Sequence, residues 1–111
     1  MKKIDLKDPQ VKKDIEDNRI IAAIGYLGIL FLLPLLIKPK SKFAQFHAKQ
    51  GLVLFAGWVI SLLLGKIPWI GPTLFYLGSV SIIIMSIVGI IKALQGQFFK
   101  MPYIYEYAKK V

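Results

Sequence analysis

The side chains best suited to chemistry lie in one short stretch, KFAQFHAKQ, residues 42–50. It holds the chain's only histidine, His47, with Gln45 and Gln50 beside it and Lys42 and Lys49 close by. An imidazole can relay protons near neutral pH or ligate a metal. Either use needs companions. The chain has no cysteine, and five of its six acidic residues lie in the N-terminal tail, leaving Glu106 as the distant exception. A proton path ordinarily shows several ionisable groups inside the spans. Here only His47, Lys49 and Lys92 stand at the edges of apolar runs. No GxSxG nucleophile elbow and no Gly-rich phosphate loop occurs. The expectation is therefore no enzyme, with no catalytic, cofactor-binding or metal-binding residue and no cofactor. His47 reads as a hydrogen-bonding architectural histidine.

The elements that must position this stretch are apolar. The chain has 111 residues, room for one domain, and 56% of them are hydrophobic. A soluble domain of this size has no core large enough to bury that much apolar surface. The apolar residues are also blocked. Ile20 to Ile37 is an uncharged run of 18 residues and Thr73 to Ile91 one of 19. Both match the roughly 20 residues that a helix needs to cross the hydrocarbon layer. A cleaved signal peptide is not expected, because the first run is long for a signal core and ends in LLPLLIKPK, a stop-transfer border. A net charge of +9 on lysines that flank the apolar runs points to anionic lipid headgroups and not to nucleic acid.

Within this frame the sequence predicts an all-α integral membrane bundle of three transmembrane helices, spanning about 20–37, 43–65 and 73–95. Residues 1–19 form a polar, helical N-terminal tail, with Asp8 as cap and Pro9 at the first helical position. Residues 20–111 form the membrane domain, ending in an interfacial segment, 97–111, whose Phe98, Phe99, Tyr103, Tyr105 and Tyr107 fit an aromatic belt. Pro34 is expected to kink or end the first span. Pro39 and Ser41 mark a turn and a new helix cap. Trp69, in the IPWIGP connection, is placed like an interfacial anchor.

The second span poses a length problem. Its clean apolar part, Gly51 to Gly65, has only 15 residues, about 22 Å against a core of about 30 Å. One to two turns of KFAQFHAKQ must then lie at or below the headgroups. Lys42 and Lys49 can snorkel, whereas His47 and Gln50 must turn inward to protein. They begin one helix face that continues through Leu54, Gly57, Ser61 and Leu64. A second stripe runs Ser79, Ile82, Ser86, Gly89, Ala93, Gly96. Small residues at such spacing mark helix contacts, within one chain or between chains. The candidate packing or partner-binding residues are Phe43, Phe46, His47, Gln50, Gly57, Ser61, Ser86, Gly89 and Ala93.

Three spans divide the basic residues seven to eight between the two sides. The one-residue excess on the HAKQ side gives the expectation of a multi-pass cell-membrane protein with its N-terminus outside and its C-terminus in the cytoplasm. The string SKFAQFHAKQGLVLF also resembles the central motif of the Tic-twenty-like group of small membrane proteins. That pattern is an aromatic, a histidine or asparagine, a small residue, a variable position and glutamine, matched by Phe46, His47, Ala48, Lys49 and Gln50. The likeness extends over AAIGYLGILFLLPLL and IIKALQGQFFKMP, about residues 20–105. It implies a helical membrane protein related to a chloroplast import-channel component, with the motif on the cytoplasm-equivalent side. The chain departs from the plant relative in having one apolar run before the motif instead of two. The expected function is a non-catalytic protein-translocation component acting through helix–helix assembly, as a homo-oligomer or with other membrane proteins. The alternative is an accessory or immunity-type membrane protein that binds a single partner.

Overall fold

The computed structural model describes residues 7–101 and 104–110, and every regular element in them is helical. Tyr103, expected in the aromatic belt, lies outside the described residues. Helix α1, Pro9–Ile24, starts where Asp8 accepts a hydrogen bond from the Gln10 amide at 2.9 Å. It stops at Gly25, in the middle of the first apolar run. The chain turns through Tyr26 and Leu27 and passes Gly28 at φ +60°, a conformation that costs glycine nothing. A 3-10 turn, Gly28–Phe31, then leads into α2, Leu32–Ile37.

The run expected as the first span is thus not one helix. It is a hairpin that enters and returns to the same end. Asp14, in α1, accepts hydrogen bonds from the Ser41 hydroxyl and from the Phe43 amide at 3.0 Å, both beyond α2. The break follows from glycine placement. Gly25 ends α1 against α3, and a Cβ there would lie 3.3 Å from the Ala48 Cα. Pro34 does not kink a span. It sits in the first turn of the short α2, where its missing N–H costs little.

Two helices cross the rest of the molecule: α3, Lys42–Leu64, of 23 residues, and α4, Gly71–Leu94, of 24 residues. At about 1.5 Å per residue each is roughly 35 Å long. Among the described residues these are the two helices long and apolar enough to cross a membrane, where the sequence predicts three. A short helix, α5, Ile104–Ala108, follows the tail segment.

The outline is a rod of 54 × 23 × 22 Å. The start of α1, the 38–41 turn and α5 gather at one end, and the 65–70 turn, with exposed Trp69, forms the other. The sequence reading places the N-terminal tail and the C-terminal segment on opposite sides, whereas here α1 and the segment after α4 converge at one end: Gly96 sits against Ile15 and Arg19. The core lies between them, around Ala22, Tyr26, Phe43, Leu54, Ala93 and Met101.

Candidate functional site

Ser41 opens α3 by accepting from the Ala44 amide at 3.0 Å, and Asp14 braces that cap from α1. Asp14 Oδ1 also accepts from Asn18 Nδ2 at 2.8 Å. Gln45 faces the other way. Its Nε2 lies 3.2, 2.9 and 3.0 Å from the carbonyls of Pro34, Leu35 and Lys38, at the end of α2 and in the turn that follows. The polar residues at the head of α3 therefore close both limbs of the hairpin.

One turn further in, His47 and Gln50 are fully buried and meet Tyr26 from the hairpin. His47 Nε2 lies 2.8 Å from the Gln97 carbonyl, which can only accept, so Nε2 carries the proton. Nδ1 is then an acceptor, and the Tyr26 hydroxyl donates to it at 2.5 Å. Gln50 Nε2 donates to Tyr26 Oη at 3.2 Å and to the Phe99 carbonyl at 3.0 Å. Its Oε1 accepts from the Met101 amide at 2.8 Å. Each polar atom of the trio has a partner, and the assignment is consistent only with a neutral imidazole. This is a clasp. It ties the turn after α1 and the head of α3 to the chain that follows α4.

Aromatic rings cover the clasp. Phe43 and Phe46 both pack edge-on against His47, with centroids 4.7 and 5.2 Å away. Phe98 lies 5.1 Å from Phe43 and 5.2 Å from Phe46, and Tyr105 lies 5.7 Å from Phe46. Phe98 and Tyr105 thus fold over the head of α3, while Tyr107 stays exposed. The short apolar stretch of α3 is accommodated in this way: α1, α2 and the tail shield its polar turns.

The other candidate residues fall in different places. Gly89 and Ala93 are buried within the chain, and a Cβ on Gly89 would lie 2.6 Å from the Tyr26 ring. Ser61 is buried and donates to the Gly57 carbonyl at 3.0 Å, with Gly78 of α4 packed on it. Gly57 is half-buried, near Ile82. Ser86 lines an open apolar groove of about 710 Å³ beneath the hairpin tip, between Leu27, Gly28, Phe55 and Trp58 on one side and Ile83 and Ile87 on the other. Among the described residues no three His, Cys, Asp or Glu side chains converge as a metal site. Asp14, Tyr26, Gln45 and the tail carbonyls are partners that the sequence reading did not single out. Gln45 reaches back across the turn to α2, and the others act across 21 or more positions, neither of which helical spacing registers.

The MamF/MmsF family, described as the magnetosome magnetite crystal formation protein family, matches residues 17–108. Magnetosome protein MmsF of Paramagnetospirillum magneticum is 33% identical over 85 residues, covering 77% of this chain and 79% of that protein. A UPF0132 membrane protein of Methanocaldococcus jannaschii is 39% identical over 100 residues, covering 85% and 87%. Another, of Archaeoglobus fulgidus, is 36% identical over 99 residues, covering 84% and 93%. No solved structure matches the chain. These matches overturn the Tic-twenty-like resemblance and the protein-transport role drawn from it. A five-residue pattern at the head of a helix is too short to separate families that share a membrane environment. The chain is a small membrane protein, and it belongs to the MamF/MmsF family.

Proposed function

We propose that the protein is a non-catalytic structural component of the membrane that acts by assembling with other membrane helices, further copies of itself first among them. The observation that carries this reading is the groove beneath the hairpin tip. Helices in lipid associate through close packing, because lipid tails remove the hydrophobic drive between them. An apolar cleft of about 710 Å³ with the small side chain of Ser86 in its wall suits an inserted helix ridge. The outer face of α4 supports the same reading, since Leu77, Ile83, Ile84, Ile87 and Ile91 are all exposed. The family is described by magnetite crystal formation, and its MmsF relative is named a magnetosome protein. For this chain we carry over membrane organisation and not mineral contact, because the packing surfaces argue for the former.

Filling the groove tests the reading. Ser86→Trp and Ile83→Trp should each weaken association at least about tenfold, equivalent to about 1.4 kcal/mol. The measurement is the intact mass of the purified complex in mild detergent and in nanodiscs, as a function of concentration. Recovery of a single unrelated membrane protein would favour the accessory or immunity-type role. A wild-type chain that stays monomeric and unaccompanied at every concentration defeats both.

A further inference from the structure

The hairpin changes which charges share a side. With three crossings, the basic residues divide almost evenly. With a hairpin that returns, α1, the 38–41 turn, the start of α3, the end of α4 and the tail all stand at one end of the rod. Twelve of the thirteen described Lys and Arg residues then lie at that end or within its first turns, and Lys66 alone lies at the other. The five described acidic residues are at the same end, so it carries a net charge of +7 and the far end +1. One of those acids, Glu106, is engaged by Lys109 at 2.8 Å, and Lys109 holds its carboxyl below the ordinary range.

Basic residues in short flanking segments are retained on the cytoplasmic side, and an asymmetry of twelve to one decides orientation where seven to eight does not. The depth of the hairpin fits a re-entrant element. Phe31 stacks on Phe55, and the Leu27–Ile29 tip lies by Trp58, about 20–24 Å along α3 from Lys42. Irregular backbone at that depth is tolerated where it packs on protein or lines a cavity, as the tip does here.

We infer that the charged end is a docking face for anionic phospholipid headgroups of the cytoplasmic leaflet, entered and left from that side by a chain that crosses the membrane only twice. Lys38 and Lys40 are exposed on the turn at the level where α2 ends and α3 begins, the level of the headgroups. Lys13, Lys100 and Lys110 are exposed around the same end. Each lysine held near an anionic surface strengthens association about fivefold. This inference rests on the membrane reading above but not on assembly, so a monomeric protein leaves it standing.

The absence of cysteine from the chain makes a sided labelling experiment direct. Lys13→Cys, Lys40→Cys, Lys66→Cys and Lys110→Cys, each in the full chain, are treated with a membrane-impermeant maleimide in intact cells and in inverted vesicles. Cysteines at 13, 40 and 110 should label only in inverted vesicles, and that at 66 only in cells. Labelling of positions 13 and 40 from opposite sides overturns the re-entrant hairpin. Labelling of position 66 from the cytoplasm overturns the orientation. The lipid arm purifies the protein from vesicles of mixed phosphatidylglycerol and phosphatidylcholine and counts the lipids retained by intact mass. Phosphatidylglycerol should be enriched severalfold, and the triple variant Lys38→Gln, Lys40→Gln, Lys42→Gln should lower that enrichment. Equal retention of the two lipids by the wild type overturns the docking face.

Discussion

His47 has both ring nitrogens engaged and Gln50 has both amide atoms engaged, so neither offers a free position to a substrate. Their value is in what their removal leaves behind. Hydrogen bonds between membrane helices contribute about 0.6 kcal/mol on average and up to about 1.7. An orphaned buried group costs more, about 1–3 kcal/mol. Gln50→Leu orphans the Met101 amide and the Phe99 carbonyl, whereas Tyr26→Phe orphans chiefly His47 Nδ1. Gln50→Leu should therefore be the more destabilising of the two, by about 1–2 kcal/mol over Tyr26→Phe, in thermal unfolding in detergent. It should also expose the tail to protease, which Tyr26→Phe should do less. If Gln50→Leu melts like a surface control such as Lys12→Gln, the clasp does not hold the tail.

At the scale of elements, the sequence displays some features and hides others. Helix α3 is legible from its Ser41 cap and the absence of a breaker before Gly65, and α4 from Pro72 in its first turn and the apolar run that follows. The cap at Ser41 and the turn at Pro39 are legible for the same local reasons. The hairpin is not. A run such as IIAAIGYLGILFLLPLLI has the length and polarity of a span, and glycine and proline are tolerated inside spans. What divides it is the fit of Gly25 against Gly51, a contact 26 residues apart that composition does not report. Likewise the inward turn of His47 and Gln50 follows from their polarity, but Tyr26 and the tail as their partners do not. The fit is open to test. A Cβ at Gly51 would collide with the Gly25 carbonyl, whereas one at Gly57 would find only Ile82 Cδ1 at 3.5 Å. Gly51→Ala should cost about 1–3 kcal/mol through overpacking. Gly57→Ala should be neutral or gain up to about 1 kcal/mol from helix propensity. Thermal unfolding of the two side by side decides it, and equal melting temperatures would remove the close approach from the account.

Taken whole, the molecule is held together by its distant ends. Residues 97–101 supply two carbonyls and an amide to side chains about fifty positions earlier, and Phe98 and Met101 pack on the core. The two long helices can insert without them, since their apolar content does not depend on the tail. The hairpin and the head of α3 cannot complete their packing, because without the tail His47 and Gln50 face hydrocarbon with donors unmet. A chain ending at Gly96 should therefore insert normally yet melt lower than Gln50→Leu, since it loses all three tail bonds and the aromatic cover together. Adding residues 97–111 as a separate peptide should restore part of the lost stability, because the tail's contribution is its contacts and not its covalent link. Insertion is followed by resistance to carbonate extraction and stability by thermal unfolding in the same detergent. A truncated chain that melts with the full-length protein would mean that the tail rests on a bundle already complete.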